Sequence, residues 1–147
     1  MKTYSLEIEK TYSVAAEIIY DAWLDAEAIK EWMCPAENVS VPHPKLDARV
    51  GGKFEFEMRV TGADGDKMIP HWGVYKTLER PTKIEFTWNS PHAGETNSLV
   101  TVSIKALNAH SCHLTLRHVG LPSEKEMAGH TQGWTGALKT LHARTNR

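Results

Sequence analysis

Residues 49–60 read Arg-Val-Gly-Gly-Lys-Phe-Glu-Phe-Glu-Met-Arg-Val, and this stretch constrains the fold more than any other. After the glycines, Phe54, Phe56, Met58 and Val60 alternate with Glu55, Glu57 and Arg59. Period two with one dry and one wet face is the pattern of a half-buried strand. Gly51-Gly52 supplies the backbone freedom for a sharp turn into that strand. The pair is no phosphate loop, because no Gly-Lys-Ser/Thr follows and the next element is a strand.

Reading outward from that strand gives an order of elements. Tyr4, Leu6 and Ile8 alternate with Ser5, Glu7 and Glu9, so a first strand covers about residues 3–12. Ser13 is placed to cap a helix over 14–24, with Ala15, Ile18, Ile19, Ala22 and Trp23 on one face. Asp25 caps a second, short helix whose apolar edge is Ile29, Trp32 and Met33, and Pro35 ends it. Residues 34–44 hold three prolines and read as irregular; Leu46 to Val50 reads as a short strand. Gly62-Ala-Asp-Gly-Asp66 carries hairpin chemistry. Strands follow at about 69–79 and 82–89, then a loop over 89–96. Val100, Val102 and Ile104 mark one further strand and Leu114, Leu116 and His118 another, with a turn at 108–111 between them.

The last element has the clearest start. Ser123-Glu-Lys-Glu126 is a capping box, and Met127, Thr131, Trp134, Leu138 and Leu141 recur at helical spacing behind it. A helix of about 20 residues spans roughly 30 Å, enough to cross a sheet. Gly133 and Gly136 inside it imply close packing against that sheet. Strand, two helices, six strands and a long helix make an α+β chain with an antiparallel meander, in one domain over residues 1–147.

Composition excludes several classes. Seventeen basic and eighteen acidic residues leave a net charge of −1, with no basic stripe for nucleic acid. Lys139, Arg144 and Arg147 near the end suit the dipole of a helix C-terminus. No apolar run reaches the ~20 residues that a membrane crossing needs. The charged start lacks a signal core, and Cys34 and Cys112 read as free thiols of a cytoplasmic protein. His110, Cys112, His113 and His118 lie close in sequence, yet Cys112 and His113 point to opposite faces of a strand and no metal-ligand spacing occurs. No metal and no cofactor is expected. Five tryptophans and eight histidines suit an apolar pocket with a few polar contacts.

Several segments together resemble a known family. They are Tyr20-Asp-Ala-Trp-Leu-Asp25, Glu31-Trp32, Asp47-Ala-Arg-Val-Gly-Gly-Lys-Phe54 and His71-Trp-Gly-Val-Tyr75. They continue in Arg80-Pro81, Phe86-Thr-Trp88, Leu114-Thr-Leu-Arg-His118 and Gly133-Trp134. From about residue 10 to residue 142 their order resembles the SRPBCC or START-like superfamily, within it the group named after the activator of heat-shock protein 90 ATPase. The resemblance implies a helix-grip fold: a curved antiparallel sheet of about seven strands wrapped around a long C-terminal helix, with two short helices after the first strand. Eukaryotic activators carry a further N-terminal domain, and this chain matches the smaller one.

A sheet gripping a helix encloses a cavity, and the inward residues become its candidates. His118 shares its face with Leu114 and Leu116, where it would bond a ligand or act as a general base. The plainer alternative is a histidine bonded to backbone or helix. His71 and Tyr75 share one face of their strand and Trp72, Val74 and Lys76 the other. The resemblance favours the face of Gly73 and Tyr75 as inward, whereas Trp72 and Val74 are the more apolar pair; a one-residue shift exchanges the two sets. Phe56, Met58 and Trp88 belong to the candidate walls. His130 and Trp134 lie a turn apart on the last helix, as lid or as anchor, and Trp32 and Met33 border the mouth as a gate.

Three functions fit. The leading one is binding of a small apolar or amphipathic molecule between sheet and helix. The second is a cyclase- or hydratase-like enzyme, as found elsewhere in the superfamily, with His118, His71 or Tyr75 moving a proton. The third, which the family's name suggests, is a co-chaperone that binds heat-shock protein 90 and stimulates its ATPase, although family resemblance speaks to fold far better than to function. A homodimer through a free strand edge is compatible with the pattern.

Overall fold

A computed structural model describes residues 2–91 and 94–145. The elements are β1 (Tyr4–Tyr12), α1 (Ala16–Trp23), α2 (Ala26–Trp32), β2 (Val39–Ser40), β3 (Lys45–Leu46), β4 (Lys53–Val60), β5 (Lys67–Glu79), β6 (Lys83–Ser90), β7 (Gly94–Asn108), β8 (Ser111–Leu121) and α3 (Glu124–Thr145). The strands form one curved antiparallel sheet in the order β1-β8-β7-β6-β5-β4-β2, with β3 also on β4. β2 pairs with Arg59 and Val60 and β3 with Phe54 and Glu55, so both lie along the same edge of β4.

The glycine pair is the turn that its sequence predicts. Gly51 has φ +84°, and a Cβ on Gly52 would lie 2.0 Å from the Asp47 carbonyl oxygen. Gly51 N donates to the Tyr75 carbonyl at 2.8 Å, and Tyr75 N donates to the Gly52 carbonyl at 2.9 Å. The turn therefore clamps the middle of β5 and fixes which way Tyr75 points. It also takes the residues expected to be a strand: β3 stops at Leu46, and residues 47–52 form the turn, with Gly52 N bonded to Arg49 O at 2.8 Å.

The register of β5 is settled by a steric argument that hydropathy misses. His71, Gly73 and Tyr75 are buried, while Trp72 and Val74 are half-buried on the outer face. Gly73 pairs with Phe54, and a Cβ there would meet the Thr87 carbonyl at 1.9 Å and the Phe54 ring at 2.7 Å. Only glycine leaves the inner face room for that ring.

Other boundaries differ from the sequence reading. Seven strands, not six, follow the helices, because the two-residue β2 sits among prolines where no periodicity can show. The loop expected over 89–96 is mostly strand: β6 runs to Ser90 and β7 starts at Gly94, paired with each other, while residues 92 and 93 lie outside the described residues. Ala15, not Ser13, occupies the N-cap position of α1, which has no side-chain cap hydrogen bond, and Ile18 is 50% exposed while Ala16, Ile19, Tyr20 and Trp23 face the core. Asp25 does cap α2, accepting from Glu27 N at 3.1 Å.

Helix α3 crosses the concave face. Trp134, Ala137, Leu138 and Leu141 are buried under it, and the Tyr12 hydroxyl donates to the Leu138 carbonyl at 3.0 Å, fastening the helix to β1. The close approach at Gly136 is to the segment after α2, not to the sheet: a Cβ would lie 2.0 Å from the Pro35 carbonyl oxygen. Of the capping box, the half from Ser123 forms, its Oγ accepting from Glu126 N at 3.1 Å. The Glu126 carboxylate turns instead toward His130, 3.8 Å from its Nδ1.

Candidate functional site

Between the first half of α3 and the ends of β4–β6 lies a cavity of about 200 Å³. The sheet contributes Met58, His71, Trp88 and Ser90; the helix contributes Glu126, Gly129, His130, Gly133 and Trp134. The positions follow from local structure. Met58 continues the inward face of Phe54 and Phe56, His71 that of Gly73 and Tyr75, and the helical set recurs at three- and four-residue steps. Gly129 and Gly133 put no side chain into the gap.

The walls are aromatic and the polar groups few. The Trp88 and Trp134 rings are 5.1 Å apart between centroids, and His71 packs against Trp88 at 4.9 Å. His71 Nδ1 donates to the Ile69 carbonyl at 3.1 Å, and His130 Nδ1 to the Glu126 carbonyl at 2.7 Å. A carbonyl can only accept, so each ring carries its proton on Nδ1. In neutral His130 the Nε2 is then an acceptor. Glu126 and His130 form a partly buried acid–base pair beside an apolar wall.

His118 follows Leu114 and Leu116 inward, as alternation predicts, and is fully buried. It does not line the cavity. The Trp134 indole N–H donates to its Nδ1 at 3.1 Å, and its Nε2 meets Ser98 Oγ at 2.9 Å. Indole is a donor only, so Nδ1 accepts, Nε2 carries the proton and donates to Ser98, and Ser98 donates to the Trp88 carbonyl. Burial, and then the nearby His130 ring, lowers the His118 pKa to about 3. A neutral imidazole with both nitrogens engaged ties β7, β8 and α3 together, and leaves no nitrogen for a substrate.

Below the cavity the interior is closed. Trp23, Met33, Phe54, Phe56, Tyr75, Ile84, Phe86 and Trp88 surround a void of only about 10 Å³. Burial pushes the Tyr75 hydroxyl pKa well above its ordinary value, so it stays a neutral phenol. The structure thus divides the residues read as ligand contacts. Met58, His71, Trp88, His130 and Trp134 come together at the cavity, while Met33, Phe56 and Tyr75 line the void with Trp88. Trp32 lines neither: its indole N–H donates to the Ala22 carbonyl at 2.8 Å, and with 1% and 2% exposure Trp32 and Met33 are core residues rather than a gate. Ser90, Glu126, Gly129 and Gly133 are cavity residues that the sequence reading missed; Gly133, expected to pack closely on the sheet, borders the gap instead. Glu126 was hidden by its own capping signature, and Ser90 by the expected loop.

Two larger recesses, of about 350 and 640 Å³, lie around Trp72 on the outer face of β4 and β5. Their walls carry Lys45, Asp47, Lys53, Glu55 and Glu57. Such charged, wet-face lining is unlike the aromatic lining with a few polar groups that marks ligand sites, so the inner cavity is the stronger candidate. Among the described residues no group of three His, Cys, Asp or Glu side chains is placed to hold a metal, and no helix is long and apolar enough to cross a membrane.

A curved sheet closed by one long C-terminal helix, with two short helices after β1, defines the helix-grip class. Within that class, the family described as "Activator of Hsp90 ATPase homolog 1-like protein" matches residues 13–145, and the chain belongs to it. A crystal structure of a Chromobacterium violaceum protein is 27% identical with a TM-score of 0.81, covering 95% of both chains. The AHSA1 protein of Silicibacter pomeroyi is 25% identical with a TM-score of 0.77, covering 96% of both. A Plasmodium falciparum protein described as an HSP90 activator is 25% identical with a TM-score of 0.68, over 89% of this chain and 87% of that one. No curated protein matches the chain.

Proposed function

We propose that the chain binds a small apolar or amphipathic molecule in the cavity between the sheet and α3. The observation that carries this is the lining itself: Met58, Trp88 and Trp134 as apolar walls, with His71, His130 and Glu126 at one gap of about 200 Å³. That volume is below the range for drug-sized ligands, so a molecule of about ten non-hydrogen atoms fits. Its apolar part lies on the tryptophans and its polar part meets the Glu126–His130 pair. Acid–base catalysis by His118 gains no support from a ring whose nitrogens are both bonded inside the protein.

Titration with cumene followed by NMR tests the reading. Saturable shifts of the backbone amides of residues 129–134 and of the Met58 methyl group are expected. Gly129→Leu fills the cavity from a position where a Cβ meets nothing within 4 Å, and it is expected to abolish the shifts without unfolding the chain. A Gly129→Leu protein that binds cumene like the parent sinks the reading.

A second reading, contact with an Hsp90-type chaperone, draws on the family description and on the Plasmodium falciparum neighbour. It predicts that adding the chain raises the chaperone's ATPase rate. An unchanged rate at saturating chain removes it.

A further inference from the structure

Four of the five tryptophans are buried in the core, and Trp72 is the exception. The clash that reserves the inner face for Gly73 puts Trp72 on the outer face of β5, half-buried, in line with Met68 and Pro70. Its indole N–H has no acceptor among the described residues, and unlike those of Trp23 and Trp88 it is open to solvent. Cross-strand register sets Glu55 opposite Trp72, Glu57 opposite Pro70, and Lys45 opposite Glu55. All three charged residues are exposed, and their side chains have no hydrogen-bond or ion-pair partner among the described residues. The segment between β2 and β3 adds Pro42 and His43 to the wall. Together these groups line the outer recess of about 350 Å³, which shares Lys45, Glu55 and Trp72 with its neighbour of about 640 Å³. Trp72 thus lies where the two recesses adjoin, and both volumes fall in the range of small-molecule sites.

The chemistry of this lining selects among ligand classes. A wholly apolar molecule would take water from Lys45, Glu55 and Glu57 and offer them no hydrogen bond instead. An ion of either sign meets a like charge as well as an opposite one. An uncharged polyol meets neither penalty, because its hydroxyls donate to the carboxylates and accept from the ammonium and the indole N–H. The indole adds one requirement, an apolar face on that polyol, since the negative face of an aromatic ring attracts C–H groups. A pyranose ring has both parts, hydroxyls around its rim and C–H groups on its faces.

We propose that the outer recess at Trp72 binds an uncharged saccharide, with one sugar ring stacked on the indole and its hydroxyls bonded to Glu55, Glu57 and Lys45. The site is independent of the inner cavity, and the sheet then carries an apolar site on its concave face and a sugar site on its convex one. A second sugar ring passes across Trp72 into the larger recess, so a disaccharide binds more tightly than a single ring.

NMR titration of the full chain with cellobiose, maltose and lactose tests this, read at the Trp72 indole N–H, which a Trp72→Phe protein assigns. At least one of the three is expected to move that resonance saturably at concentrations up to about 50 mM, and to bind more tightly than methyl glucoside. Its affinity should stay the same when salt rises from about 0.05 to about 0.5 M, because the ligand carries no charge to screen. Glu57→Ala, at an exposed position, should lower the affinity about 2- to 10-fold, and Trp72→Ala about 3- to 10-fold. Neither substitution should alter the cumene shifts of residues 129–134. If Trp72→Ala does not fold, Glu57→Ala decides. Three sugars that leave the Trp72 indole unmoved overturn the inference. So does sugar binding that survives both substitutions at full strength. Tetramethylammonium moving the resonance where the sugars do not would also overturn it, and would make the recess a cation site.

Discussion

Along α3, the turns from Trp134 to Leu141 and the turns from Glu126 to Gly133 face the same sheet with different residues. The later turns present Ala137, Leu138 and Leu141, all buried, and press Gly136 onto the Pro35 backbone. The earlier turns present two glycines, a histidine and a carboxylate to a cavity. Glycine serves opposite ends in the two halves. At Gly136 the missing side chain allows contact, and at Gly129 it leaves space, since a Cβ there would meet nothing within 4 Å. Closing a curved sheet takes a few large apolar side chains, and keeping one end open takes their omission. Trp134 stands at the junction, with its ring on the Trp88 wall and its N–H committed to His118.

If the later turns hold the fold, substitutions there carry the largest effects. Leu138→Ala is expected to cost about 2–5 kcal/mol, the range for a fully buried leucine that leaves a cavity behind. Urea denaturation measures it, and a loss below about 1 kcal/mol would show that the sheet stands without the helix. Gly136→Ala comes next. Helix propensity favours alanine by about 1 kcal/mol, but backbone rather than a flexible side chain occupies the space, so a net loss of about 1–3 kcal/mol is expected. A stabilised Gly136→Ala protein would refute the contact with Pro35.

His118 marks the junction in a way that pH can read. In the folded chain it stays neutral down to about pH 3, whereas in the unfolded chain it takes a proton near its ordinary 6.5. Below 6.5 the unfolded state therefore binds more protons, and stability falls as pH drops from 6.5 toward 3. This residue contributes a slope of up to about 1.4 kcal/mol per pH unit. Between pH 6 and 5 most carboxylates remain ionised, so the slope of the unfolding free energy there should flatten in His118→Gln. An unchanged slope would mean that His118 is not the neutral tie between β8 and α3. Such a result would weaken the division of the helix at Trp134.

The two halves were not equally legible in the sequence. The later turns announce themselves through Trp134, Leu138 and Leu141 at helical spacing, because burial of one face imposes that period. Alternation likewise placed His118 inward beside Leu114 and Leu116. It had no means of showing that Trp134 and Ser98 would take both ring nitrogens, since those contacts join residues 16 and 20 positions away. The cavity was harder still. Glu126 reads as a capping residue, Gly133 as a point of close packing, and Ser90 as loop. What unites them is the space between elements, which periodicity does not record. The face of β5 turned on Gly73, where the absence of a side chain decided against the more apolar Trp72 and Val74.

The smallest effect is the sharpest test of that space. Gly129→Ala adds one methyl group at an exposed helical position where nothing lies within 4 Å. Alanine loses less backbone freedom on folding than glycine, so the variant should gain up to about 1 kcal/mol, opposite in sign to Gly136→Ala. The same methyl group takes volume from a cavity of about 200 Å³, and cumene affinity should fall slightly while the melting temperature rises. Measured side by side, thermal unfolding and the cumene titration separate the two roles of the residue. A gain in stability with unchanged binding would place the ligand elsewhere. A loss of stability would mean that the earlier turns of α3 pack as tightly as the later ones, and the contrast between the two halves would not hold.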